Sequence, residues 1–140
     1  MFISKFSVED WQGNQNKGSV QVAKNWQQIQ EAIEQLDGRR RTLVTLETGG
    51  EAHMAIGGGA TQYFIYLTFD NEEFYYVVNL TGLDAEERLI VGGQEGIYPS
   101  KFCVGKDIAM KVAKTFAELG VMDKSMTWQQ DEIAQLQEVA

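Results

Sequence analysis

His53 and Cys103 are the residues best suited to nucleophilic or general-base chemistry near neutral pH, and each type occurs once. A thiol and an imidazole far apart in sequence can meet in a fold as a nucleophile–base pair. Their surroundings argue against it. Cys103 lies in the apolar run Phe102-Cys103-Val104, where a free cysteine usually acts as a small buried hydrophobe. His53 stands between Ala52 and Met54 in an expected strand. One His and one Cys cannot supply the clustered ligands of a structural zinc site. The adjacent carboxylates Glu72-Glu73 and Glu86-Glu87 are loop neighbours, not an acid/base pair facing across a cleft. The expectation is therefore a chain with no catalytic residue, no metal ligand and no cofactor, and not an enzyme.

Neither glycine cluster has the context of a phosphate-binding loop. Gly57-Gly58-Gly59 lacks the spacing of a dinucleotide loop and precedes a strand. Gly92-Gly93-Gln94-Glu95-Gly96 follows a strand, but no helix begins there and no Gly-Lys-Ser/Thr follows. Both fail the contextual test, and a bulge or tight reversal is expected at each. Their repetition after Ala55-Ile56 and Ile90-Val91 suggests two strands ending at similar places in a sheet. Arg39-Arg40-Arg41 has no glycine loop or lysine beside it. It reads as cations placed favourably after a helix C-terminus.

The elements that hold these residues follow from periodicity. Phe6, Val8 and Asp10 alternate with Ser7, Glu9 and Trp11 as a short strand, and Gly13 to Gly18 reads as a loop. Trp26, Ile29, Ile33 and Leu36 share one helical face. Asn25 and Gln28 form an approximate capping box, and Asp37-Gly38 ends the helix. Strands are expected at Thr42–Glu47 and Glu51–Ile56, with Gly57-Gly58-Gly59 interrupting. Gln62–Phe69 is the strongest strand, with Tyr63, Ile65, Leu67 and Phe69 on one face and Phe64 and Tyr66 on the other. A strand apolar on both faces sits centrally or is covered twice. Asp70–Glu73 is a turn, Phe74–Leu80 a strand, Thr81–Glu87 a polar loop and Arg88–Val91 a short strand. Gly92–Pro99 reads as irregular. Ile108, Val112, Phe116 and Leu119 mark a second helix, closed by Gly120. A last short strand holds Met126 and Trp128, and Ile133, Leu136 and Val139 suit an amphipathic tail helix. The short links between strands leave no room for crossover helices. The expected class is α+β, a mainly antiparallel meander sheet with two main helices packed on it.

Length and charge set the outer bounds. The 140 residues fit one domain, 1–140, and 15 aromatic residues supply a core. A lone cysteine excludes an intramolecular disulfide and suits the reducing cytoplasm. No run of about 18 apolar residues appears, so no membrane partner is expected. The net charge of -8 and a pI near 4.6 argue against nucleic acid as the main ligand. The charge is concentrated: residues 70–95 hold seven acids against Arg88. Such a segment can steer a basic partner and reject wrong ones.

The order of these features resembles a known family. A helix and paired strands lead to Ala55-Ile56-Gly57-Gly58-Gly59, an aromatic strand pair and Leu89-Ile90-Val91-Gly92-Gly93-Gln94. Tyr98-Pro99, Val104, an Ala-rich helix to Phe116, Gly120 and Trp128 follow. This pattern, over about Asn25 to Trp128, is similar to the Imm-one immunity family of bacterial polymorphic toxin systems. The resemblance implies a small α+β protein without enzyme activity. It would bind and neutralise a cognate toxin domain, often a nucleic-acid deaminase, by covering its active site. Its partner would then be a basic toxin domain. The residues expected to meet it are Asp70, Glu72, Glu73, Asp84, Glu86, Glu87 and Glu95, with Tyr98 as an aromatic anchor. The alternative is a non-enzymatic structural or regulatory homo-oligomer whose apolar sheet face is covered by another copy.

Overall fold

Gln62–Thr68 carries large apolar side chains on both sides of its pleat, and a cover on each side explains the rest of the architecture. The computed structural model describes residues 1–82 and 84–130. The amphipathic helix expected around Ile133, Leu136 and Val139 lies outside the described residues. In chain order the strands are β1 (Lys5–Val8), β2 (Trp11–Gln12), β3 (Gln15–Asn16) and β4 (Ser19–Val22). Helix α1 (Trp26–Glu34) precedes β5 (Leu43–Glu47), β6 (His53–Gly59), β7 (Gln62–Thr68) and β8 (Phe74–Val78). Then come β9 (Glu86–Val91), β10 (Gln94–Pro99), a 3-10 turn at Ser100–Phe102, β11 (Cys103–Val104), α2 (Lys106–Leu119) and β12 (Thr127–Gln130).

The main sheet runs β12-β8-β7-β6-β5-β1-β4, with β11 also paired to β7. Every pairing is antiparallel, as short connections require. The class is α+β, as the residue pattern predicts. On one face Tyr63, Ile65 and Leu67 pack with Met54, Ile56, Val44 and Phe6 beneath the two helices. Ile29 and Ile33 come from α1, and Val112, Ala113 and Phe116 from α2, all fully buried. The capping box forms in full: the Asn25 side chain accepts the Gln28 N–H at 3.2 Å, and Gln28 Oε1 accepts the Asn25 N–H at 3.3 Å. On the other face Phe64, Tyr76, Leu89, Phe102 and Cys103 form a second cluster under the β9–β10 hairpin.

Six local expectations change. Gly92–Pro99 is not irregular: Gly92 and Gly93 turn the chain with φ of 62° and 79°, and β10 pairs back on β9. Two successive positive-φ residues make the tight hairpin turn whose twist suits antiparallel strands. Glu86 and Glu87 therefore belong to a strand, not a loop. Gly57-Gly58-Gly59 continues β6 opposite Phe64, Tyr63 and Gln62, because the neighbouring chain lies too close for side chains there. A Cβ on Gly57 would stand 2.4 Å from Val91 Cγ1. The glycine-ended strands thus do not end side by side in one sheet. β9 crosses over β6 instead. Gly13 to Gly18, expected as a loop, contains β3, which pairs with β2, and β4 follows it at Ser19–Val22. Finally, Phe69 and Leu119 project outward, 41% and 68% exposed, since each falls just past the last covered turn of its element.

Candidate interaction surface

The β7–β8 turn is built by its own polar side chains. Asp70 Oδ1 accepts the N–H of Glu72 and of Glu73, both at 2.9 Å. Thr68 Oγ1 donates to the Glu73 carbonyl at 2.8 Å and accepts the Asn71 N–H at 2.9 Å. These backbone donors, Glu73's first, hold the Asp70 carboxyl below its ordinary range. Glu72 and Glu73 are exposed beside it, and the Tyr75 hydroxyl donates to Glu73 at 3.2 Å.

The other acids stand on or before the β9–β10 hairpin. Strand alternation and register put Glu86, Arg88 and Ile90 outward with Glu95, Ile97 and Pro99. Arg88 and Glu95 form a diagonal ion pair at 2.9 Å. Glu87 and Tyr98 lie opposite each other on the inner side. Glu87 accepts the Ser100 hydroxyl at 3.2 Å, and the Tyr98 ring lies 4.8 Å from that of Phe64. Asp84 is exposed at the start of the hairpin.

The seven acids thus form two groups. Tyr98 rests on Phe64, and Asp70 follows six residues later along β7, roughly 20 Å away at 3.3 Å per residue. The β5–β6 turn adds Glu47 and Glu51 to the Asp70 group, because β5 and β6 pair at that same end. Sequence reading missed these two, though the paired strands on either side of Thr48-Gly49-Gly50 carried the signal. At the hairpin end charges are mixed. Arg40 and Arg41 both pair with Asp10, and Asp37 accepts the N–H of Arg39, Arg40 and Arg41 at 2.9–3.0 Å. The arginine run serves this corner rather than the helix end, since α1 stops at Glu34. A cleft of about 530 Å³ separates Asp37 and Arg39 from Glu87, Arg88 and Glu95.

Trp11 clamps the hairpin tip. Its ring lies where a side chain on Gly93 would be, 2.4 Å from that Cβ position, and the Gly93 N–H donates to Thr42 Oγ1 at 2.9 Å. Glu9 Oε2 and Trp11 Nε1 are buried there without a well-formed partner among the described residues. Burial pushes the Glu9 carboxyl up, and the nearby Trp11 N–H acts against it.

His53 and Cys103 are not a dyad. His53 pairs with Thr68 and Cys103 with Phe64, roughly 13 Å apart along β7. The His53 ring nitrogens meet the Glu51 carbonyl at 3.0 Å and the Tyr66 hydroxyl at 3.2 Å. Burial pushes the Cys103 thiol up to about 12, with Glu87 adding to the effect, far from the thiolate needed for nucleophilic attack. Among the described residues no three His, Cys, Asp or Glu side chains are grouped to hold a metal ion. No helix among them is long and apolar enough to cross a membrane.

The turn carboxylates make stability pH-dependent. For Asp37, burial raises the pKa, but the three backbone donors outweigh it and the net shift is downward. Asp70 is lowered as well. A lowered folded pKa gives stability that is present above the unfolded value, about 3.9, and is lost as pH falls through the folded value. The urea midpoint is expected to hold from pH 7 to about pH 4.5 and to fall below about pH 4. Asp37→Asn should flatten that acid limb; an unchanged limb would refute the assignment.

The sequence model of one family, described as immunity protein Imm1, matches residues 17–130. The match takes in β4, which the resemblance over about 25–128 leaves out. Comparison with curated proteins returned no match.

Proposed function

The chain belongs to the Imm1 immunity protein family, and from that premise we propose that it binds a cognate toxin domain in the cytoplasm and covers its active site. The family match across most of the chain is the observation that carries this reading. The arrangement of charge supports it. Asp70, Glu72, Glu73, Asp84, Glu86 and Glu95 lie at the surface, where carboxylates speed encounter with a basic partner. Toxins that act on nucleic acid need such a basic cleft. Glu87 and Tyr98 face the sheet, so their part is to fix the shape of the hairpin that presents the others.

The test is co-expression with the toxin domain encoded beside this chain. The two are expected to co-purify, and growth arrest by the toxin should be relieved. Association should slow as salt is raised, because surface charges are screened within about 8 Å at physiological ionic strength. A chain that neither binds nor protects would overturn the reading.

A further inference from the structure

The second face of the main sheet is covered over only part of its area. Register divides that face into cross-strand rows. One row joins Leu43, Gly57 and Phe64, and the β9–β10 hairpin lies over it through Val91 and Tyr98. The next row joins Val20, Ser7, Thr45, Ala55 and Tyr66. The row beyond joins Val22, Lys5, Glu47, His53 and Phe74 through Thr68. The Tyr66 row continues to Tyr76, which Phe102 of the 3-10 turn covers at 5.8 Å between ring centres, and Ala55 and Thr68 are buried; the rows open toward β4. Val20 and Val22 are 64% and 67% exposed, and His53, Tyr66 and Phe74 are half-buried.

This open half is ordered in advance. His53 and Tyr66 meet edge to face at 5.6 Å between ring centres, and Tyr66 and Phe74 at 5.5 Å. A partner docking on such rings immobilises few rotamers, which lowers the entropic cost of binding. The two exposed valines stand on the same sheet face three to four strands away from the His53 and Tyr66 rings, roughly 14–19 Å, with Ser7, Lys5, Thr45 and Glu47 between them, a span that one protein partner can cover.

Charge selects the occupant. The open half ends at the β5–β6 and β7–β8 turns, which carry Glu47, Glu51, Asp70, Glu72 and Glu73, with Lys5 beside them. Two copies stacked on their open halves with the acidic ends aligned would bring these like charges together, which disfavours that pairing. At the hairpin end Arg39, Arg40, Arg41 and Arg88 offset the acids. We propose that the open half of this face, rimmed by the two acidic turns, is where the toxin docks, and that the toxin presents a basic surface to it. The proposal rests on the immunity reading above and names the surface that reading uses.

The experiment measures binding of the recombinant toxin domain encoded beside this chain by titration calorimetry. Three double variants are compared: Val20→Arg with Val22→Arg on β4, Glu51→Lys with Glu73→Lys on the turns, and Glu86→Lys with Glu95→Lys on the hairpin. The first two are each expected to weaken Kd by about tenfold or more, and the hairpin pair by less than about threefold. All six positions lie at the surface, and an unchanged urea midpoint confirms the fold. The turn pair decides the matter if the β4 pair fails to fold. A wild-type chain that does not bind the toxin overturns the immunity reading itself. Wild-type binding that is insensitive to the β4 and turn pairs, or sensitive mainly to the hairpin pair, overturns this proposal alone. A wild-type dimer in light scattering that Val20→Arg with Val22→Arg dissolves also overturns it, because a second copy then occupies the face.

Discussion

Gly59→Ala is expected to destabilise the fold by roughly 3 kcal/mol or more. Gly59 has a φ of 128°, a backbone conformation that side-chain-bearing residues hold only at a cost of about 1–3 kcal/mol. The added Cβ would stand 2.7 Å from Gly38 N and Leu36 C and 2.8 Å from Asp37 N. All three are backbone atoms, so no side-chain rotation relieves the contact. The chain leaving α1 would have to move, and Asp37 bridges directly to Gly59. Overpacking of this kind adds about 1–3 kcal/mol. Gly49→Ala is the control: a Cβ there meets nothing within 4 Å, so its effect should stay within about 0.5 kcal/mol. Urea unfolding of both variants checks the claim. Equal midpoints for the two would refute it.

The same glycines show how far residue types and spacing carry the fold. Gly57-Gly58-Gly59 looks like an interruption because local propensity disfavours glycine inside a strand. Its real cause is non-local: Val91 and the end of α1 press on the strand from outside. Periodicity does reveal β7, because Tyr63, Ile65 and Leu67 pack under the helices and Phe64 and Tyr66 on the far side. It also reveals α1 with its capping box, where every partner is within four residues. β10 is invisible to it, because Glu95, Gly96 and Pro99 lack strand propensity and are held by pairing with β9.

The candidate surface was legible by composition and not by position. Counting charges along the chain puts seven acids between residues 70 and 95. It cannot tell that β7 and its neighbours carry Asp70 and Glu86 to opposite ends of a sheet. Nor can it tell that Glu47 and Glu51 join the first group through the pairing of β5 with β6. Chain proximity and spatial proximity part wherever a strand of about 20 Å intervenes, and that distance is well beyond the screening length of salt.

Phe116→Ala should abolish protection without touching the toxin. Phe116 is fully buried between α2 and the sheet, and Phe2 packs on it edge to face at 5.9 Å. The N-terminal segment is tied to the same turn, since Phe2 and Ile3 both donate to the Ala117 carbonyl. Truncating a buried Phe costs about 3–5 kcal/mol, a large part of the 5–15 kcal/mol typical of a domain. Leu119→Ala, on the same helix but 68% exposed, should change little, within about 0.5 kcal/mol. Mass action separates this loss from an interface defect. A partner that binds only the folded chain stabilises it by about 2.7 kcal/mol at a hundred times Kd. Excess toxin domain should therefore raise the Tm of Phe116→Ala substantially, while the same excess stabilises Val20→Arg with Val22→Arg by about half as much or less, about 1.4 kcal/mol at a tenfold weaker Kd. If the toxin lifts both variants equally, the open face is not the contact. If it lifts neither, the Phe116 defect lies in binding and not in folding.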